Sequence, residues 1–232
     1  MITVITVVFN SKQALAKTMQ SVSIQDYENL EYIVVDGGST DGTVDVIKEN
    51  QSNITHWVSE KDKGIYDAMN KGVGLATGDY CIFMNAGDEF VDEHVVSNVV
   101  KSMGDADVVY GDILKNGRII KAKEPRNCHK MFYCHQAAFV KTDCLKEFPF
   151  DISHKMSADF KQAKQMITAG KRFKHIDLVV ADFDTTGISN TRRSKGLADN
   201  IKVICEVDTL TEKCRLLPRI CFTYLLCKLR GK

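Results

Sequence analysis

The sequence predicts an α/β domain: a Rossmann-like, mostly parallel central sheet flanked by helices, followed by a helical C-terminal tail. Three observations predict it. Strand-like runs rich in Val, Ile and aromatics alternate with helical patterns through the first half of the chain, the order that right-handed βαβ units produce. Two of those runs end in acidic turns about fifty residues apart, Asp36-Gly37-Gly38-Ser39-Thr40-Asp41-Gly42 and Asn85-Ala86-Gly87-Asp88. Ligands of a parallel sheet bind beyond the carboxyl ends of its strands, so carboxylates placed there suit a ribose, a base edge or a hard divalent cation. From Leu197 onward the chain becomes helical, then apolar and basic.

In order, 3–9 reads as the first strand, and 12–25 as a helix with Leu15, Met19, Val22 and Ser23 on one face. A strand at 31–35 leads through the first acidic turn into a helix at 43–50. A helix at 65–75, a strand at 80–84, a helix at 92–103 and a strand at 108–110 continue the alternation. Residues 112–123 read as a hairpin, because Asn116-Gly117 tolerates the positive φ of a tight turn. A helix at 158–170 closes on Gly170 in the C′ position, and 173–181 is a further strand. The polar stretch 187–196 reads as a mobile loop. The expected division is a domain over 1–196 and an amphipathic helical tail over 197–232.

Charge is balanced, with 31 Lys+Arg against 30 Asp+Glu in 232 residues, so no overall field points to nucleic acid. The opening Met1-Ile2-Thr3-Val4 enters a strand pattern at once, without the basic start of a signal peptide. The eight cysteines form no CxxC pair and are expected as small core residues in a reduced, cytoplasmic setting. No apolar run approaches the roughly twenty residues of a membrane span. In 216–230, Lys and Arg flank leucines and aromatics, the pattern of a helix lying among lipid headgroups or packed on protein.

The opening Ile5-Thr6-Val7-Val8-Phe9-Asn10, the two acidic turns and Asp62-Lys63-Gly64-Ile65-Tyr66-Asp67-Ala68 together resemble the family-2 glycosyltransferases of the GT-A fold, over about the first 190 residues. The resemblance implies inverting transfer from a nucleotide-sugar, most readily a UDP-sugar, to a saccharide or lipid-linked acceptor in cell-surface polysaccharide synthesis. It places the enzyme in the cytoplasm at the inner face of the membrane. It implies that Asp36 holds the uracil or ribose, that Phe9 stacks on the base beside Asn10, and that Asp62 and Lys63 grip base and diphosphate. The family usually carries Asp-x-Asp at the second acidic turn. Here Asn85 replaces the first acid, leaving Asp88 as the carboxylate for Mg²⁺ or Mn²⁺. The family's Glu-Asp pair falls on Ala158-Asp159, which makes Asp159 the implied base. Cys134-His135-Gln136-Ala137 resembles the family's His-Gln segment, with His135 on the acceptor or diphosphate side. Gly187-Ile188-Ser189 resembles a closing loop, with Arg192 and Arg193 near phosphate.

Each residue also has a structural reading. Asp36-Gly37-Gly38 makes a turn, and Ser39, Asp41, Asp88 and Glu89 suit helix caps. Asp62, Lys63 and Asp67 are charges before a helix, and Asp159 is favoured by a helix dipole. A nucleotidyltransferase would need a glycine-rich basic loop where Phe9-Asn10-Ser11-Lys12 stands. A Rossmann oxidoreductase would need G-x-G-x-x-G. The replaced acids at Asn85 and Ala158 leave open a non-catalytic nucleotide-sugar-binding module.

Overall fold

The structure is a computed structural model and describes residues 1–186 and 193–229. All seven residues of β1 (Ile2–Val8) are buried, as a strand covered on both faces requires. On either side of it, β2 (Leu30–Asp36) and β4 (Tyr80–Phe83) pair in parallel, and β3 (His56–Ser59) pairs in parallel with β2. The register sets Val8 opposite Asp36, Asp36 opposite Ser59 and Ile5 opposite Phe83. The loops after these four strands therefore leave the sheet along one edge, which is where residues 9, 36, 62 and 85–88 gather.

The crossovers are α1 (Lys12–Ser23), α2 (Thr43–Glu49) and α3 (Ile65–Leu75), and α4 (Val95–Met103) follows β5 (Glu89–Phe90). With β6 (Val108–Lys115), β8 (Ala138–Lys141) and β9 (Phe173–Asp182), the sheet order is β3-β2-β1-β4-β8-β6-β9-β5; β7 (Arg118–Ile120) pairs with β6 alone. The sheet is mixed rather than parallel throughout. β8 runs antiparallel to both β4 and β6, and β5 antiparallel to β9. The expected parallel order holds for β2-β1-β4 and for the β6–β9 pair, and β3, not expected from the sequence, extends it beside β2. The cause lies after the hairpin, where the chain re-enters the sheet through a 3-10 turn (His135–Ala137) instead of a helical crossover.

The hairpin forms on Asn116 (φ 50°) and Gly117 (φ 70°), and Gly170 (φ 73°) follows α6 (Ala158–Thr168). The helix expected from Asp92 starts at Val95, because the Asp92 carboxylate accepts the His94 N–H at 2.9 Å and closes a turn first. One apolar layer packs Leu15, Met19, Val96 and Val99 under one face of the sheet. A second packs Tyr66, Met69, Val73, Leu145 and Met166 on the other, with α5 (Thr142–Glu147) contributing Leu145.

The tail forms a hairpin of α7 (Arg193–Val207) and α8 (Leu210–Leu229), burying Val203, Ile204, Leu216 and Ile220 against Phe160 of α6. Residues 193–196, expected as loop, are instead the first turn of α7, where the Gly196 carbonyl accepts the Ser157 hydroxyl at 3.4 Å. The rest of that loop, including Gly187, Ile188, Ser189 and Arg192, lies outside the described residues. Lys164 of α6 pairs with Asp208 at 2.8 Å, both side chains being buried, and ties the hairpin to the domain. No helix among the described residues is long and apolar enough to cross a membrane. Cys81, Cys144 and Cys227 are buried as expected, whereas Cys205 and Cys214 are exposed on the tail helices.

Candidate active site

At the end of β1 the Phe9 ring is 62% exposed. A Cβ added to Gly37 would lie 3.1 Å from Asp62 Oδ2 and 3.3 Å from Phe9 Cδ2, so the glycine lets an aromatic face and a carboxylate approach one another. The other oxygen of Asp62 takes the Lys71 ammonium, which also meets Glu60 at 2.7 Å. The bonds from Asp62 and Glu60 push the Lys71 pKa well up, fixing it as a cation.

Asp36 is fully buried, and its carboxylate accepts from Gly38 N (3.1 Å), Ser39 N (2.9 Å), Ser59 Oγ (2.6 Å) and the Ser39 hydroxyl. It shapes the floor of the turn with all its bonds spent on its own chain. Asn10 (φ 48°) does the same from the other side, accepting Thr40 N at 2.8 Å and donating its N–H to Ser39 Oγ at 2.7 Å. Asp41 accepts Thr43 N at 3.0 Å in the turn before α2, whose N-cap is Gly42 and carries no side-chain cap bond. Lys63 is exposed, and its N–H donates to Asp67 Oδ2 at 2.9 Å.

The turn after β4 is pinned by Thr18 of α1, whose hydroxyl accepts Gly87 N at 2.9 Å and donates to the Asp88 carbonyl at 2.8 Å. Gly87 has φ 107°, and a Cβ there would stand 2.6 Å from Asp184 Oδ2; only glycine allows that approach. Asp88 is 4% exposed and accepts Asp184 N at 2.9 Å. Burial pushes its carboxyl up to about 6, although the Asp184 N–H and the charge of His135 oppose this. Nearby, the Asn85 side-chain oxygen is buried and has no partner among the described residues. Asp88 and the orphaned Asn85 oxygen are hard oxygen donors, which fits Mg²⁺ or Mn²⁺; Asp184 stands beside them, its oxygens accepting Thr186 N at 2.9 Å and the Thr186 hydroxyl at 2.6 Å. Asp184 escaped the sequence reading; the available signal was an acid just past the end of a predicted strand. The three-residue group of His and acid side chains found among the described residues with ligand atoms within 4.8 Å of one another, Asp151, His154 and Glu206, belongs instead to the tail interface. The Lys161 ammonium sits among its carboxylates at 2.6 and 2.7 Å, so an internal cation already neutralises it.

Asp159 lies in the first turn of α6. Its Oδ1 accepts the Tyr66 hydroxyl at 2.9 Å, and its Oδ2 stands 3.4 Å from His135 Nδ1. The other His135 nitrogen is 3.4 Å from Asn85 Nδ2. A continuous chain, Tyr66–Asp159–His135–Asn85, thus joins the start of α6 to the turn after β4. Burial works to raise the Asp159 pKa, but the hydrogen bond and charge of His135 and the Tyr66 hydroxyl outweigh it and hold the carboxyl below its ordinary value. Asp159 is therefore ionised at neutral pH and faces the donor edge of the sheet through His135. Tyr66, quoted in the sequence only as part of a motif, is the residue of this chain that sequence reasoning missed. Arg193 is exposed at the start of α7.

The profile of glycosyl transferase family 2 matches residues 3–163. The chain belongs to glycosyl transferase family 2. It is 27% identical over 204 residues to a PGL/p-HBAD biosynthesis glycosyltransferase of Mycobacterium bovis BCG, covering 82% of this chain and 80% of the relative. Among solved structures it resembles S. aureus TarS 1–349 in complex with UDP-GlcNAc (TM-score 0.72, 16% identity, 90% of this chain and 67% of that one). It also resembles the mannosyltransferase PcManGT of Pyrobaculum calidifontis in complex with GDP-Man and Mn²⁺ (TM-score 0.71, 20% identity, 88% of this chain and 63% of that one). These likenesses establish the GT-A fold. As a member of the family, this protein is a glycosyltransferase.

Proposed function

We propose that the enzyme transfers a sugar, with inversion, from a nucleotide-sugar to a saccharide or lipid-linked hydroxyl in cell-surface polysaccharide synthesis. The observation that carries this reading is the ionised Asp159 held by Tyr66 and His135 beside the Asn85–Asp88 turn. Phe9 offers the face on which a nucleotide base stacks, beside Asp62 and over the turn that Asp36 and Asn10 fix. A UDP-sugar is the preferred donor, in keeping with UDP-GlcNAc bound by the structural relative TarS. Lys63, exposed at the rim next to Asp62, is assigned to the diphosphate.

Asp159 accepts the proton of the acceptor hydroxyl as that oxygen bonds to the anomeric carbon. The bond from that carbon to the diphosphate oxygen breaks on the opposite face, and the nucleoside diphosphate leaves with the electron pair. Asp88, with Asn85, would hold a divalent cation, whose chemistry is to neutralise charge on the departing diphosphate. His135 keeps Asp159 oriented and faces the same diphosphate end through Asn85.

The tail carries the acceptor-side proposal. Phe222, Leu225, Leu226 and Leu229 are exposed and spaced i, i+3, i+4, i+7 on α8, near Arg219 and Lys228. That stripe suits peripheral contact with an anionic membrane surface, where a lipid-linked acceptor resides.

The test is release of UDP from UDP-glucose, UDP-galactose and UDP-N-acetylglucosamine in Mn²⁺, with water or added oligosaccharide as acceptor. One donor should turn over, and Asp159→Asn should slow it by about 10²- to 10⁴-fold while donor binding persists. Donor binding without turnover, the same in both proteins, would instead favour a binding module.

A further inference from the structure

We propose that Tyr66 is the positioning residue of the base: its hydroxyl takes Oδ1 of Asp159 and so leaves Oδ2 turned toward His135 and available for the acceptor proton. The proposal deepens the reading of Asp159 as the base and rests on it.

The geometry that carries it is local and complete. Tyr66 lies in the first turn of α3 and is 8% exposed. Its ring stacks on Phe150 with centroids 5.5 Å apart and planes 28° apart, and Phe150 in turn meets Phe83 of β4 edge-on at 5.3 Å. Packing therefore fixes the ring, and the one polar atom it carries is aimed at a carboxylate. Since a carboxylate can only accept, the hydroxyl must donate. The 3.4 Å between His135 Nδ1 and Oδ2 exceeds the usual N–H···O length of about 2.9 Å. Oδ1 is thus the tightly held oxygen and Oδ2 the one with spare capacity.

The surroundings support a fixed donor. Burial, and then the charge of Asp159, push the Tyr66 hydroxyl well above its ordinary pKa, so it stays protonated. Besides burial, Asp159 feels His135 from the segment before β8, the Tyr66 hydroxyl and the Phe160 N–H of its own helix, and Asp199 of α7 acts on Tyr66; after burial, the Asp159 charge in turn raises Tyr133 and Cys134. The same helix α3 carries Lys71, which grips Asp62 at the nucleotide end. One rigid element therefore spans the base and the proposed donor pocket.

The experiment uses the full-length protein labelled with ¹³C at the aspartate carboxyl groups. The Asp159 resonance is assigned by its loss in Asp159→Asn, and its titration is followed in the wild type and in Tyr66→Phe, which keeps the ring and its stacking. The titration midpoint should rise by about one pH unit or more in Tyr66→Phe. The melting temperature at pH 7 should fall by only the roughly 3–5 °C that a one-unit shift of a single carboxyl implies for a chain of this size, and calorimetric UDP affinity should stay near wild type. The acid limb of the rate of UDP release should move up with the midpoint. An unchanged midpoint and acid limb in folded Tyr66→Phe would overturn the proposal. Wild-type turnover in Asp159→Asn would instead overturn the base assignment itself, whatever Tyr66→Phe shows.

Discussion

Asp88 is both the proposed metal ligand and a buried charge, and Asp88→Asn separates the two roles. Burial moves its carboxyl from an ordinary 3.8 to about 6. At 1.36 kcal/mol per pH decade that is a penalty of about 3 kcal/mol on the folded protein once the group is ionised. The side chain is 4% exposed, so solvent screening removes little of this. The folded carboxyl binds its proton more tightly than the unfolded one. Stability is therefore lost as pH rises from about 4 to about 6, and the full penalty stands above 6. Asparagine keeps an oxygen to accept the Asp184 N–H, though a bond to a neutral acceptor is weaker by about 1 kcal/mol. The net expectation in EDTA at pH 7.5 is a gain of about 2 kcal/mol, or about 4–8 °C in melting temperature for a chain of this size. The gain should shrink toward zero near pH 4. Mn²⁺ should raise the melting temperature of the wild type and leave the variant unmoved. Thermal unfolding at three pH values, with and without Mn²⁺, reads all of this. A variant less stable than wild type at pH 7.5, or a difference independent of pH, would refute the reasoning.

Two further outcomes follow from the same geometry. Phe9→Ala should weaken UDP binding by about 1–3 kcal/mol, a roughly 5- to 150-fold rise in Kd by calorimetry, with little change in melting temperature because the ring is exposed. Lys164→Met should destabilise the protein by about 3–5 kcal/mol, since it leaves the buried Asp208 carboxylate unpaired at the joint between α6 and the tail; denaturant unfolding that matched wild type would show that the pair does not tie the tail to the domain.

Most of the parallel half of the sheet was legible because β1, β2 and β4 are largely apolar and buried, whereas β3, four residues with three exposed, gave no such signal. Asn116-Gly117 marked the β6–β7 hairpin and Gly170 the end of α6 by the positive φ angles found there. β5 and β8 were not legible, being two and four residues long and paired through contacts distant in sequence. The start of α7 was hidden in a polar stretch, because the residues that dock this helix beside Phe160, from Leu197 to Val207, lie further along it. The family motifs pointed to Phe9, Asp36, Asp88 and Asp159, but not to what each touches. That Asp36 spends its oxygens on Ser39 and Ser59 depends on the register of β2 against β3. That Tyr66 meets Asp159 depends on α3 and α6 crossing the same face of the sheet, 93 residues apart in the chain.

The most direct test of the central claim is a calorimetric titration of the wild type and Asp88→Asn with UDP, and with GDP as the competing nucleotide, in Mn²⁺ and in EDTA. The account predicts that UDP binds the wild type in Mn²⁺ and that binding is lost in EDTA and in the variant. A folded wild type that binds neither nucleotide in Mn²⁺, or binds UDP equally well in EDTA and in Asp88→Asn, would contradict it.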